Sequence, residues 1–358
     1  MDAFAAQDEQ FKRAFDVLQK AVRQLAFPGA SAAVTHKGRL VALKGIGHFT
    51  YDSQSTLVTP ETIYDLASLT KVVATTAACM LLYQRGGLLL EQNLGDILPD
   101  FAGDDPRRRE ITVRMLLSHS SGLPAYVRLF ETSNNRAELL QQALQVPLAA
   151  DPGTRHEYSD IGFILLGEAL ERIAGEPLDQ FCRREIFKPL HLRTMTFNPI
   201  AEQKPRIAPT EDDRNFRRRT IQGEVNDENA WVMGGVAGHA GCFSTALEVA
   251  LLSECLLRGG APLWDLHTVE IFTRRESSPP GTSRALGWDT PSPPSQSGKY
   301  FSPGSYGHLG FTGTSLWIDP DRSLSVTLLT NRTWPDRGSQ AIKQVRPAFH
   351  DAVVEALQ

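Results

Sequence analysis

Nothing in the chain approaches the eighteen or so consecutive apolar residues that a membrane-spanning helix requires, so no such span is expected. Cysteine is scarce. The four present, Cys79, Cys182, Cys242 and Cys255, are scattered and include no CxxC pair, which argues against a disulfide framework and reads as buried thiols. The nine histidines include no HExxH pair, which speaks against a zinc peptidase. No GxSxG elbow and no phosphate loop occur. GIGHFT at 45–50 only begins like a dinucleotide fingerprint, and it falls at the end of a hairpin pattern rather than at a strand-to-helix turn. A large charge excess is also missing: 37 Lys and Arg face 41 Asp and Glu, for a net charge of −4, so neither nucleic acid nor an anionic membrane is an expected partner. Two basic runs, RRR at 107–109 and RNFRRR at 214–219, have acidic neighbours and read as solvated loop surface. The start, MDAFAAQDEQFKRAF, lacks the basic opening and apolar core of a secretion signal. If that start is native, a cytoplasmic protein is expected; if a signal has been removed, a periplasmic or secreted one.

What is present is an ordinary globular composition, 41% hydrophobic and 22% charged over 358 residues, enough for one large or two interleaved domains. Phe11, Phe15, Leu18, Val22 and Leu25 recur at helical spacing. ASAAVTH and RLVALK flank a Lys37-Gly38 turn and predict a hairpin. Helices are expected over 69–85, closed by Gly86 and Gly87, and over 111–118, 137–145 and 161–174, the last closed by Gly175. Residues 199–230 read as a long surface excursion, and the Pro- and Ser-rich 277–298 as a flexible loop. SLWID and LSVTLLTN, separated by PDRS, predict strands, and a helix is expected over 338–357. This order predicts an α/β (α+β) fold: residues 1–66 and 245–358 form an α/β layer with an antiparallel sheet flanked by terminal helices, around a mostly helical inserted region, 67–244.

ASLTK at 67–71 places Ser68 and Lys71 three apart at the start of the 69–85 helix, where positions i and i+3 share a face. A serine needs a base to become a nucleophile, and lysine serves only if its pKa falls well below about 10.4. A helix N-terminus favours the developing negative charge. An SxxK match alone is about an even bet by chance in a chain of this length. Two downstream stretches join it. In HEYSDIGFILLGEALERIAG, Tyr158, Ser159 and Asp160 precede a helix, as a proton relay or as a cap. In YGHLGFTGTSLWIDP, His308-Leu309-Gly310 leads into a strand; Gly310 permits a close backbone approach, and the Phe311 amide could face a carbonyl oxygen.

SxxK, a mid-chain tyrosine motif and a late K/H-x-G strand together resemble the serine β-lactamase and penicillin-binding protein superfamily, and most closely the class C β-lactamase-related group, which includes D,D-peptidases, D-amino-acid amidases and carboxylesterases. The resemblance extends over TIYDLASLTK, ITVRMLLSHSSGLP, EYSDIGFILLGEALERIAG, GGVAGHAGCFST and HLGFTGTSLWIDP. It implies a class C β-lactamase-like fold, Ser68 as the acylated nucleophile, Lys71 as its base partner and Tyr158 as the group that protonates the leaving group. It further implies an oxyanion hole from the amides of Ser68 and Phe311, and substrate contacts from Asp160, His308 and Gly310. Two positions depart from the pattern. Asp160 stands where class C β-lactamases carry asparagine, and its carboxylate could pair with Lys71 and raise the lysine pKa. Leu309 stands where relatives often carry threonine, so Thr312 or Thr314 would have to supply the hydroxyl, with FTG as an alternative register.

The expected protein is a serine hydrolase that forms an acyl-enzyme with small-molecule amide, ester or β-lactam substrates, with no metal or organic cofactor and with β-lactams as slow substrates. The alternative is a catalytically silent sensor that binds penicillin or cell-wall fragments, against which stands the lack of a membrane span or partner domain. The sequence leaves the oligomeric state open. His239, in GGVAGHAG, reads either as a rim residue or as a loop histidine satisfied by backbone bonds. Lys44, His119 and His156 read as structural or surface residues.

Overall fold

The computed structural model describes residues 6–101 and 103–358; the first five residues of the polar start lie outside it. Its main sheet has five antiparallel strands, β1 (Gly29–His36), β2 (Arg39–Gly47), β3 (Tyr306–Leu309), β4 (Ser315–Asp319) and β5 (Leu324–Thr330). Their order is β2-β1-β5-β4-β3, so the two ends of the chain meet where β1 pairs with β5. The Lys37-Gly38 turn joins β1 to β2 with both residues at positive φ, the geometry that matches strand twist in a two-residue hairpin.

Both central strands are buried on their two faces, and period-2 alternation divides their side chains. Ala30, Ala32, Val34, Val326 and Leu328 point into one core with Phe15, Leu18, Phe349 and Val353. These last four come from α1 (Lys12–Arg23) and α5 (Ile342–Glu355), which pack on each other against that face. Ala33 and Leu329 point the other way, into a larger core shared with the helical part of the chain. Small alanines in β1 let helices approach closely from both sides. On that second face lies α4 (Ala246–Leu257); between α1 and α4 along the chain come α2 (Ala77–Gln84) and α3 (Asp160–Ala174).

Several sequence expectations require correction. The 69–85 segment is not one α-helix: a 3-10 turn over Ala67–Leu69 leads into a π-helical stretch, Lys71–Thr76, before α2 begins. The Pro- and Ser-rich stretch is irregular yet packed, with Ala285, Leu286 and Trp288 buried. One arginine of each basic run is also buried. Arg108 donates to the carbonyls of Phe101, Leu144 and Val146, and Arg217 to the Asp213 carboxylate and the carbonyls of Val225 and Asn226. Charge runs disclose composition but not which member turns inward to satisfy loop carbonyls. All four cysteines are buried and unpaired. Among the described residues no helix is long and apolar enough to cross a membrane.

Candidate active site

The site begins with Asp65, whose buried carboxylate accepts the Ala67 amide at 2.7 Å and the Asn226 amide at 2.6 Å. Ala67 has φ +47°, a left-handed conformation that costs a β-carbon residue about 1–2 kcal/mol. The Asp65 bond helps to hold it there. This bend presents Ser68 at the wall of a cavity of about 560 Å³, while Lys71, one turn on, is fully buried behind it.

Lys71 Nζ donates three hydrogen bonds: to Ser68 Oγ at 3.0 Å, to Asp160 Oδ1 at 2.7 Å and to the His239 carbonyl at 3.0 Å. Those three acceptors match the three hydrogens of an ammonium. Burial alone would lower the lysine, but the Asp160 carboxylate, joined by Tyr158, outweighs it and holds Lys71 above its ordinary value. The resting group is therefore charged, and the uncharged amine expected from SxxK logic is replaced by the Asp160 ion pair.

Tyr158 and Asp160 come from the N-terminal edge of α3, where Ser159 is the cap and accepts the Gly162 amide at 3.0 Å. The cap reading of YSD does not displace its neighbours from the site, because with Ser159 as the cap both Tyr158 and Asp160 line the cavity. Tyr158 OH donates to Ser68 Oγ at 2.8 Å. Burial, with Asp160 adding to it, raises the phenol against the pull of Lys71.

β3 supplies the facing wall. His308, Leu309, Gly310 and Phe311 all line the cavity. A β-carbon on Gly310 would lie 2.6 Å from the Leu66 carbonyl and collide with Thr314 Oγ1, so only glycine lets this strand end pass the Ser68 turn so closely. The amides of Ser68 and Phe311 have no hydrogen-bond partner among the described residues, which leaves two donors for a substrate oxygen. His308 Nδ1 meets the Leu309 carbonyl at 2.8 Å, and its Nε2 is buried without a partner. Burial first, then the charges of Lys71 and Arg284, push His308 well below its ordinary value, so it is neutral.

Thr312 and Thr314 do not take over from the hydroxyl that Leu309 lacks. Their Oγ1 atoms donate to the carbonyls of Asp65 and Leu66, both at 2.9 Å, inside the fold. The alternative FTG register is thereby set aside in favour of Leu309-Gly310-Phe311.

The GGVAGHAG loop is closer to the chemistry than either reading of it anticipated. Gly238 packs against the α3 backbone, where a β-carbon would sit 2.9 Å from Gly167 Cα and would clash with the Phe163 carbonyl. That approach carries the His239 carbonyl to Lys71, while its ring bonds Asp227 Oδ1 at 2.8 Å. Its Nε2 is thus held by a carboxylate rather than by backbone, and its Nδ1 is buried without a partner. His119 is buried, its ring centroid 4.6 Å from that of Tyr158, and its Nδ1 accepts the Ser159 amide at 3.0 Å. Lys44 pairs with Asp8 at the surface, and His156 is exposed. Asp65, Asp227 and Arg284 went unnoticed in the sequence; none was read as part of a chemical motif, and the meaning of each depends on long-range packing. Among the described residues no group of three or more His, Cys, Asp or Glu side chains is arranged to hold a metal ion.

Comparison with known proteins gives the chain relatives and a shared fold. The chain is 35% identical over 344 residues to the N-acetylmuramyl-L-alanine amidase of Bacillus subtilis (strain 168), covering 86% of this chain and 77% of that protein. It is 34% identical over 345 residues to a putative D-alanyl-D-alanine carboxypeptidase of Salmonella agona (strain SL483), covering 86% and 79%. Among solved structures it shares the fold of EstCE1, a hydrolase with promiscuous acyltransferase activity, with TM-score 0.78, 22% identity and coverage of 97% and 100%. It also shares that of the octameric penicillin-binding protein homologue from Pyrococcus abyssi, with TM-score 0.74, 20% identity and coverage of 96% and 77%. Residues 14–348 match the Beta-lactamase family, so the chain that carries this serine, lysine and tyrosine belongs to that family of serine hydrolases.

Proposed function

We propose that the protein hydrolyses amide and ester bonds through an acyl-enzyme on Ser68, with small peptides of the D-amino-acid or cell-wall type as its principal substrates and β-lactams as slow ones. The observation that carries this reading is the position of Ser68 Oγ, 3.0 Å from Lys71 Nζ and 2.8 Å from Tyr158 OH, at the wall of an open cavity. The Lys71–Tyr158 pair loses one proton to reach its basic form, and that form accepts the Ser68 proton as Oγ attacks the carbonyl carbon. The tetrahedral oxyanion rests on the amides of Ser68 and Phe311. Tyr158 then protonates the leaving nitrogen or oxygen, and water, deprotonated by the same pair, releases the acyl group. The names of the relatives, an amidase and a putative carboxypeptidase, favour amide substrates. Leu309, and the engagement of Asp160 with Lys71, disfavour efficient β-lactam turnover.

The test combines p-nitrophenyl acetate, nitrocefin and peptides ending in D-alanyl-D-alanine with mass spectrometry after an electrophilic serine inhibitor. Expected are steady turnover of the ester and peptide and one adduct on Ser68, both abolished in Ser68→Ala. A stoichiometric burst without turnover points instead to a silent acylated sensor. An unmodified Ser68 refutes the covalent route.

A further inference from the structure

The turn from β3 to β4 ties down its carbonyls and leaves one amide free. The Phe311 carbonyl accepts Arg332 Nε at 2.7 Å, and the Thr312 carbonyl accepts the Arg332 amide at 2.9 Å. The Gly310 carbonyl accepts the Gly313 amide at 3.1 Å and Arg346 Nη2 at 2.8 Å, and the same Nη2 donates to the Thr314 carbonyl at 2.7 Å. The carbonyl of Gly310 and the amide of Phe311 belong to one peptide group. A guanidinium therefore binds one end of that group, and the other end is the donor left for a substrate oxygen.

Arg346 is costly where it stands. It projects from α5 into the wall of the cavity, is only 5% exposed, and has its Nε buried without a partner. Its charged neighbour is Arg332, a second cation. Burial, with that repulsion added, brings the guanidinium down to about 9, so it is still charged at neutral pH. The other buried arginines have a carboxylate to offset them: Arg217 bonds Asp213, and Arg108 lies in the field of Asp105. Among the described residues no carboxylate does this for Arg346. Two carbonyls satisfy donors but leave the charge unbalanced, and an unbalanced buried cation destabilises a fold that an apolar side chain of similar volume would serve better.

We propose that Arg346 is a positioning residue of the oxyanion hole: bound to the Gly310 carbonyl, it orients and polarises the peptide whose amide, on Phe311, receives the oxygen of the tetrahedral intermediate. This rests on the acyl-enzyme reading above. The neutral carbonyl of a bound substrate gives the buried cation little. The attraction is gained as that oxygen becomes negative, which is when it lowers the barrier. A hydrogen bond accepted at one end of a peptide strengthens the bond donated at the other by roughly 10–30%, and one oxyanion donor is worth about 10²–10³ in kcat, so polarisation alone accounts for about twofold to eightfold in rate. The charge adds to that.

The test reads the acyl-enzyme itself. Wild type, Arg346→Lys and Arg346→Met are acylated on Ser68 by a slowly deacylating ester with an isotope-labelled carbonyl, and its stretching frequency is measured by infrared difference spectroscopy. Beside it are measured kcat/KM for p-nitrophenyl acetate, a neutral substrate, and the inhibition constant of a trifluoromethyl ketone, which forms a tetrahedral oxyanion on the serine. In Arg346→Met the stretch moves to higher frequency, kcat/KM falls by about twofold to eightfold or more, and the ketone weakens by the same factor. In Arg346→Lys, which keeps the charge on a shorter side chain, all three change less. A side chain that only packs the fold would alter stability and leave the stretch where it is; that result overturns the proposal, and so does a change confined to substrates that bear a carboxylate. Should Arg346→Met fail to fold, Arg346→Lys decides it, and a wild-type frequency there rejects the role. A wild type that takes no acyl group on Ser68 refutes the acyl-enzyme reading instead.

Discussion

Replacing Asp160 by asparagine tests the electrostatics of the site directly. The 2.7 Å contact with Lys71 joins a fully buried ammonium to a carboxylate whose side chain is 18% exposed. At that separation Coulomb's law gives ~6 kcal/mol at an effective dielectric of about 20 and ~1.5 kcal/mol in bulk water. Asparagine keeps an oxygen for Lys71 to bond and removes the charge. The sign follows from the two shifts: Asp160 raises Lys71 and also raises Tyr158, so its charge opposes loss of the proton that creates the basic form. In the wild type kcat/KM for a neutral ester therefore rises with pH into the alkaline range. In Asp160→Asn the midpoint of that rise moves to lower pH, by at least about one unit if only the bulk-water value applies. The assay is kcat/KM for p-nitrophenyl acetate across pH, corrected for uncatalysed hydrolysis, with Asp160→Glu as the charge-preserving control. A midpoint that stays in place, or moves up, refutes the assignment of Asp160 as the group that keeps the pair protonated.

Gly310→Ala forces a β-carbon against the Leu66 carbonyl and Thr314 Oγ1; we expect a loss of ~1–3 kcal/mol in urea denaturation and a disproportionate loss of acylation rate, because the Phe311 amide, the proposed oxyanion donor next to it, is displaced. Equal stability and rate would show that the strand end yields freely. Asp65 carries a pKa raised to about 6, chiefly by burial and against the two amides that hold it. A carboxyl raised in the fold binds its proton more tightly there than when unfolded, so the wild type loses stability relative to Asp65→Asn as pH rises from about 4 to about 6. Urea denaturation at several pH values checks this, and a pH-independent difference between the two proteins would overturn it.

The parts of this molecule that were legible beforehand are those where chemistry repeats locally. The Lys37-Gly38 turn announced the β1–β2 hairpin, the PDRS turn between SLWID and LSVTLLTN marked β4 and β5, and the helical period of Phe15 and Leu18 marked α1. Ser68, Lys71 and Tyr158 were legible through short motifs whose geometry the fold then joined, over a separation of ninety residues between Ser68 and Tyr158. What the sequence left open is of another kind. Asp160 offered a carboxylate that could pair with Lys71, and the turn of α3 that delivers it makes that pair. Thr312 and Thr314 offered hydroxyls in the right neighbourhood, yet the carbonyls of Asp65 and Leu66 claimed both. Polar side chains are assigned by competition among partners, and that competition is settled by the fold.

The same competition explains why the site is built from loops that look expendable. Asp65 joins the strained Ala67 turn to the amide of Asn226, and Asp227, the next residue, holds the ring of His239. The carbonyl of His239 in turn fixes Lys71. Arg217 secures the same loop through the carbonyls of Val225 and Asn226, and Arg337 clamps Glu211 to Glu228 beside Phe311. The excursion expected over 199–230 is therefore an outer wall of the site whose buried carboxylates and guanidiniums fix the ammonium from behind. A substitution at Arg217, which contacts neither Ser68 nor Lys71, should accordingly loosen the nucleophile before it unfolds the sheet, since β1 and β5 share none of these bonds.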